Sequence, residues 1–252
     1  SNPVKPPQYL SFVAEGIETP LEQFTRYAEA TWFLGEAIPS YRPQLGADMF
    51  AGFLGTPIRY DFSRYPAGRG DAWAVPWVTD WEEALPLEVD QENAYWKQYR
   101  SGLKRAADAA HRRFLLTAPD LHSNIDALAA MRGTQSLIYD MADHPELVHR
   151  AMDDARRAYR IVSDFFFEVA DADTWGSTRG AYGPGRFSII ACDVAATLSP
   201  ALFREFVMPA LEDEAAYLDH AMFHIDGPDM LKFLDDILAI DGVDIINWVP
   251  GV

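Results

Sequence analysis

The stretch Ala221-Met222-Phe223-His224-Ile225-Asp226-Gly227-Pro228 runs an apolar segment into a histidine and a carboxylate, then stops at Gly-Pro. Residues i and i+2 of a strand point to the same face. His224 and Asp226 therefore project together where the strand ends. Enzymes built on parallel sheets keep their chemistry at that end. An imidazole and a carboxylate converging there can share a metal ion or work as an acid/base pair. The same spacing also suits an aspartate that caps the next helix beside a buried, hydrogen-bonded histidine.

Outward from this stretch the pattern repeats. Residues 187–191 (FSIIA) end at Cys192-Asp193, and residues 114–118 (FLLTA) end at Pro119-Asp120-Leu121-His122. Residues 244–249 form a last strand that ends at Pro250-Gly251. Residues 8–14 (QYLSFVA) are a first strand candidate, and residues 39–55 hold a further short one. Helices fill the gaps. Thr19-Pro20-Leu21-Glu22 has the residues of a capping box and opens a helix to about residue 37. Others are expected over 91–113, around 127–132 with a second after it, and from Pro145 to about 172. Two more start at Ser199-Pro200 and at Asp229.

Strand and helix in this order imply right-handed parallel βαβ units. The strands are short and apolar, as where both faces are covered. A doubly wound sheet also fits, but no Gly-rich phosphate fingerprint follows the first strand. Polar groups ending several different strands are the habit of a TIM barrel. About six strands are read where closure needs eight. The expectation is an α/β fold, a TIM (β/α)8 barrel. Residues 1–252 form a single barrel domain in this reading, truncated at the C-terminus, with the last strands and helices missing.

Composition bounds the function. The 252 residues are 49% hydrophobic and 13% aromatic, enough for a full core in one large domain. The formal net charge is −17, with 38 acidic against 21 basic residues, which disfavours nucleic acid and anionic membrane surfaces as partners. A single cysteine, Cys192, excludes an internal disulfide and suits a reducing cytoplasm. No stretch approaches the roughly 20 apolar residues of a membrane span.

Asp193, Asp120 and His122 are the catalytic candidates, because each stands just past the end of an apolar strand. Asp193 reads as a general acid/base or a ligand-orienting group, or as a loop aspartate bonding nearby backbone N–H groups. His122 reads as a contact residue or as a packing residue behind one. Tyr182 and Trp248 are candidate aromatic walls of a substrate pocket, with core packing as the alternative. Arg59, Arg64 and Arg69 fall in the least regular part, 56–90, ahead of Trp73, Trp77 and Trp81. That segment reads either as a substrate cover offering arginines to an anionic group or as a packed surface excursion.

At these residues the chain resembles the uroporphyrinogen decarboxylase superfamily, in the uncharacterised branch near the corrinoid methyltransferases. The matching segments are Pro119-Asp120-Leu121-His122 through Asp126-Ala127-Leu128 to Met131-Arg132-Gly133, and Asp143-His144-Pro145-Glu146. They continue with Cys192-Asp193, the run from Leu198-Ser199-Pro200 to Met208-Pro209, His224-Ile225-Asp226-Gly227-Pro228, and Trp248-Val249-Pro250-Gly251. The resemblance covers most of the chain from Leu21 onward and implies a TIM barrel. It implies a methyltransferase moving a methyl group between a small organic substrate or thiol and a corrinoid carried on a partner protein. A decarboxylase is the alternative, and a non-catalytic barrel that binds a small molecule or a partner is another.

Two departures qualify the resemblance. The porphyrin decarboxylases place an arginine-rich motif after their first strand; here Phe12-Val13-Ala14-Glu15-Gly16-Ile17-Glu18 carries glutamates and no arginine. The methyltransferase branch carries a zinc site of the type His-x-Cys plus a later Cys. His224 matches the histidine, and Asp226 stands in place of the cysteine. The pair implies a divalent metal, with zinc first, in a harder and more oxygen-rich site. The third ligand is expected from Asp193 or from beyond Val252. Because each ends an apolar strand and precedes a helix, Asp120, Asp193, His224 and Asp226 are expected around one mouth of the barrel.

Overall fold

The computed structural model describes residues 4–66, 70–111 and 113–251. Its strands are β1 (Ser40–Tyr41), β2 (Ile58–Asp61), β3 (Asp71–Ala74), β4 (Leu115–Leu116) and β5 (Ser177–Thr178). They continue with β6 (Tyr182–Gly183), β7 (Phe187–Ala191), β8 (His220–Asp226) and β9 (Val243–Val249). The apolar run FSIIA is β7 over the expected residues, buried at four of its five positions. It pairs in parallel with β8, and β8 pairs in parallel with β9. The register sets Ala191 opposite His224, and His224 opposite Asn247. The three strand ends therefore lie side by side, which places Cys192-Asp193 next to His224 and Asp226.

The expected TIM barrel is not what forms. Among the described residues the strands make three two-stranded sheets and one three-stranded sheet, with no closed barrel. Closure requires every strand to bond a neighbour on each side along its length. β1, β4, β5 and β6 are two residues each, too short for that ladder. Two pairings, β2–β3 and β5–β6, are antiparallel rather than parallel. Alternation of apolar runs with helices shows that strands exist, but leaves open which of them pair. What β1 and β4 do share is a parallel pairing, Ser40 with Leu115 and Tyr41 with Leu116, continued by a parallel bridge from Thr117 to Thr178.

Several local expectations also shift. Residues 8–14 do not form a strand; Ser11–Glu15 is a short helix entered through Leu10 at φ +64°. Leu10 and Phe12 are buried, so their spacing resembled a strand face. Phe12 lies so close to Gly102 that a Cβ there would stand 2.2 Å from its Cζ, a contact only glycine allows. The next helix starts at Glu18, ahead of the expected cap at Thr19, and stops at Ala30. Trp32 is 89% exposed and takes no part in its buried stripe. The segment read as irregular contains the β2–β3 hairpin; Arg69 lies outside the described residues.

The longest helix, Pro145–Val169, opens with proline in its first turn, where the missing N–H costs nothing. Its buried stripe runs from Val148 through Ala155 to Val162 and Phe166. Trp96 and Tyr99 pack against Phe53, with ring centroids 5.1 and 5.4 Å away. Phe203 and Phe233 stack at 4.1 Å, both fully buried. No helix of the described residues is long and apolar enough to cross a membrane.

Candidate functional site

The site forms where two chain segments meet. One is the end of β7, which passes through buried Cys192 into a short turn, Asp193–Thr197. The other is the loop that follows β4, Pro119 to Asn124, which leads into the helix Ile125–Arg132. Ala118 N–H donates to the Thr178 carbonyl at 2.8 Å and anchors the start of that loop. Asp126, in the first helical turn, joins the two segments. Its Oδ2 accepts the N–H of Asp193 and its Oδ1 that of Val194, each at 2.9 Å. Asn124 Nδ2 adds a bond to the Ala191 carbonyl at 3.2 Å.

The loop backbone is strained. His122 has φ +42° and Asn124 φ +56°, both in the region that favours glycine. Such conformations cost about 1–3 kcal/mol each and persist where the surroundings enforce them. Here the enforcement comes from the bonds through Asn124 and Asp126. The result is that His122, Asp126 and Asp193 each present a ligand-type atom, all within 4.8 Å of one another.

The electrostatics are those of one imidazole among carboxylates. Burial acts to lower the His122 pKa. The hydrogen bond and charge of Asp120, with the charges of Asp126 and Asp193, outweigh it and push His122 up to about 9. Burial acts to raise Asp120; its hydrogen bond with His122 and the charges of Arg179 and His122 hold it well below the usual carboxylate range. His122 Nε2 stands 3.5 Å from Asp120 Oδ1, and Arg179 closes an ion pair on Asp120 Oδ2. Burial, with the Asp193 charge, pushes Asp126 up to about 6. Burial also raises Asp193, opposed by the charges of His122 and His224 and assisted by those of Asp226 and Asp120. The buried Oδ1 of Asp193 has no hydrogen-bond partner. At neutral pH the centre therefore holds a charged imidazole and a carboxyl group poised to exchange protons.

A cavity of about 300 Å³ opens on the centre, with His122 and Asp193 in its lining beside Asp48, Asp71, Tyr9 and Trp73. The structure thus brings Asp120, His122 and Asp193 together, and His224 and Asp226 act on Asp193 from the neighbouring strand. His224 is half-buried and its Nδ1 lies 2.7 Å from Asn247 Oδ1, while Asp226 is exposed. Among the described residues, the one group close enough to share an ion is His122, Asp126 and Asp193; His224 and Asp226 are not in it. Tyr182, on β6, and Trp248, on β9, are each 49% exposed and lie outside the lining of that cavity. Arg59 is exposed on β2, paired across the hairpin with Trp73, and also stands outside the lining.

Three side chains in or against this centre escape a reading by strand ends: Asp126, Arg179 and Glu214. Asp126 follows His122 by four residues, and its signals are a carboxylate close behind a strand end and its place in a segment that carries the resemblance. Glu214 sits among other acids on a helix and reads as part of a solvated face, yet it is 2% exposed. No family model matches the chain, and no curated protein matches it significantly.

Proposed function

We propose that the chain is an enzyme acting on a small organic molecule by proton transfer at the His122–Asp126–Asp193 centre, the decarboxylase-like reading of its resemblance to the uroporphyrinogen decarboxylase superfamily. The observation that supports it is a charged imidazole held against carboxyl groups of raised pKa at the mouth of a cavity. In decarboxylation the bond to the carboxyl group breaks, carbon dioxide leaves, and the electron pair left on the substrate takes up a proton. His122 carries that proton at neutral pH, and Asp193, within 4.8 Å, would return it by way of one water. His122, in the cavity lining, is the positive group that meets the substrate carboxylate, while Arg179 is paired with Asp120. The acidic surroundings suit a substrate with one carboxylate rather than several.

Methyl transfer to or from a corrinoid on a partner protein is the second reading, favoured by His224 at the rim beside Asp193. It lacks a thiolate here: Asp226 stands where the cysteine is expected, and Cys192 is fully buried with its thiol pushed up by burial. Among the described residues no third ligand group joins His224 and Asp226, so the zinc site implied there would draw a ligand from beyond them. A divalent cation is instead proposed for His122, Asp126 and Asp193, where it would compete with the proton.

Carbon dioxide release from a panel of small carboxylic acids tests the proposal. His122→Gln and Asp193→Asn are each expected to lower the rate by about 10²–10⁴-fold, the usual worth of a positioned acid or base. Full activity in both variants would sink the proton-transfer reading.

A further inference from the structure

We propose that Glu214 is the positioning residue of this centre: a buried carboxyl group, carried on a separate helix, that fixes where the His122–Asp126 segment stands against the end of β7. The inference rests on the reading that His122, Asp126 and Asp193 form the working centre. Glu214 belongs to the helix Met208–Tyr217, 91 residues from Ser123 in sequence, and is 2% exposed. Its Oε1 accepts from Ser123 Oγ at 2.6 Å and from Asn124 Nδ2 at 3.3 Å. Ser123 and Asn124 are the residues between His122 and the helix that carries Asp126. The same Asn124 amide reaches the Ala191 carbonyl, two residues before Asp193. One carboxylate oxygen thus gathers the strained loop, and the loop in turn grips the strand end.

A buried acid on an apolar helix face is costly to keep unless it has partners that need it. Leucine would fill the same place on the helix without that cost, so the acid is explained by the two donors it receives. The ionisable groups that act on Glu214, or on which it acts, are Asp126, Asp213, Tyr159 and Cys192, none of which supplies a positive charge. Its Oε2 is buried without a partner. Burial pushes the group up to about 7 against the two hydrogen bonds, and both donors converge on the single oxygen Oε1. The requirement is for an acceptor oxygen at that point, not for a charge.

The test follows from that distinction. Glu214→Gln keeps an acceptor oxygen, and Glu214→Leu removes it. The backbone amides of Asp193 and Val194, which donate to Asp126, report the placement by NMR on the full chain. In the Leu variant their resonances should move and their hydrogen exchange should quicken by about tenfold or more, while in the Gln variant both should stay as in wild type. Asn124→Gly serves as a second probe, because glycine accepts φ +56° and only the amide bonds are lost. It should reproduce the Leu result, including where the Leu variant does not fold. Unmoved Asp193 and Val194 amides in folded Leu or Gly variants overturn the proposal, as does a Gln variant as disturbed as the Leu one. Failure of the proton-transfer reading is seen separately, as carbon dioxide release that persists at full rate in both His122→Gln and Asp193→Asn.

Discussion

Replacing Asp120 with asparagine tests whether the centre holds its proton on His122. His122 is moved from an ordinary 6.5 to about 9, against burial, by Asp120 first and then by Asp126 and Asp193. At about 1.36 kcal/mol per unit, a rise of about 2.5 units is worth about 3.4 kcal/mol in favour of the charged ring. The folded-state value is the raised one. Its stabilisation is therefore complete below pH 6.5, the unfolded value, and is lost as pH rises through 9. The wild-type protein should lose about 3 kcal/mol of unfolding free energy from this group between pH 6.5 and 9.5. Asparagine at 120 removes the nearest charge, 3.5 Å away, and leaves Arg179 without its partner. Both changes act in one direction. The His122 midpoint should fall by about one unit or more, and the pH-dependent loss of stability should shrink by about 1.4 kcal/mol. The assay is a proton NMR titration of the ring, assigned with His122→Gln, together with urea unfolding across the same window. A wild-type midpoint near 6.5, or a midpoint unmoved by the substitution, refutes the electrostatic account of the centre.

Glu214→Gln should make the protein more stable at alkaline pH. A carboxyl pushed from 4.5 to about 7 destabilises the fold as pH rises through 7, by about 2 kcal/mol more at pH 8.5 than at 5.5, and glutamine abolishes that slope; parallel urea midpoints for variant and wild type across this range would contradict it. Phe203→Ala, which empties one half of the Phe203–Phe233 stack, should cost about 3–5 kcal/mol in urea unfolding; a loss under about 1 kcal/mol would show that the stack is not part of a tight core. Zinc affinity measured by calorimetry should rise by about tenfold per pH unit from 6.5 to 8.5, because the His122 proton must leave first; a flat profile would place any bound ion elsewhere.

What can be read from the residues depends on how local the cause is. β7 is legible because Phe187–Ala191 is an apolar run closed off by Gly185-Arg186 on one side and Cys192-Asp193 on the other. The helix from Pro145 is legible because proline and glutamate mark its first turn. The β2–β3 hairpin is hidden, since its strands are joined by a long connection with no two-residue turn signal. Two-residue strands such as β1 and β4 exist only through their partners, and no periodicity announces them. The barrel expectation fails at that point, because closure is a property of pairings and not of runs. In the site, Asp120, His122 and Asp193 stand out by their places after strand ends. Asp126 and Glu214 do not, since a carboxylate on a helix reads as solvated until the packing that buries it is known.

The charge balance of the centre explains why the proton and a divalent cation are alternatives there. Asp120, Asp126 and Asp193 offer three negative charges, and Arg179 is committed to Asp120. His122 is the imidazole within the group, with Arg42 acting on Asp120 and His224 on Asp193 from outside it, and its raised pKa expresses the demand for positive charge. Burial first, and the neighbouring acids second, raise both Asp126 and Asp193, so loss of a carboxylate charge is favoured even beside His122. A second proton on the carboxyl pair answers that demand, and so does an ion that displaces the His122 proton. Either way the fold holds acidic groups closer together than their mutual repulsion favours. It does so with the two N–H bonds to Asp126 and the loop tied down through Asn124. Asp126, pushed up to about 6 by burial and then by the Asp193 charge, is thereby brought into the range that acid/base chemistry near neutral pH requires.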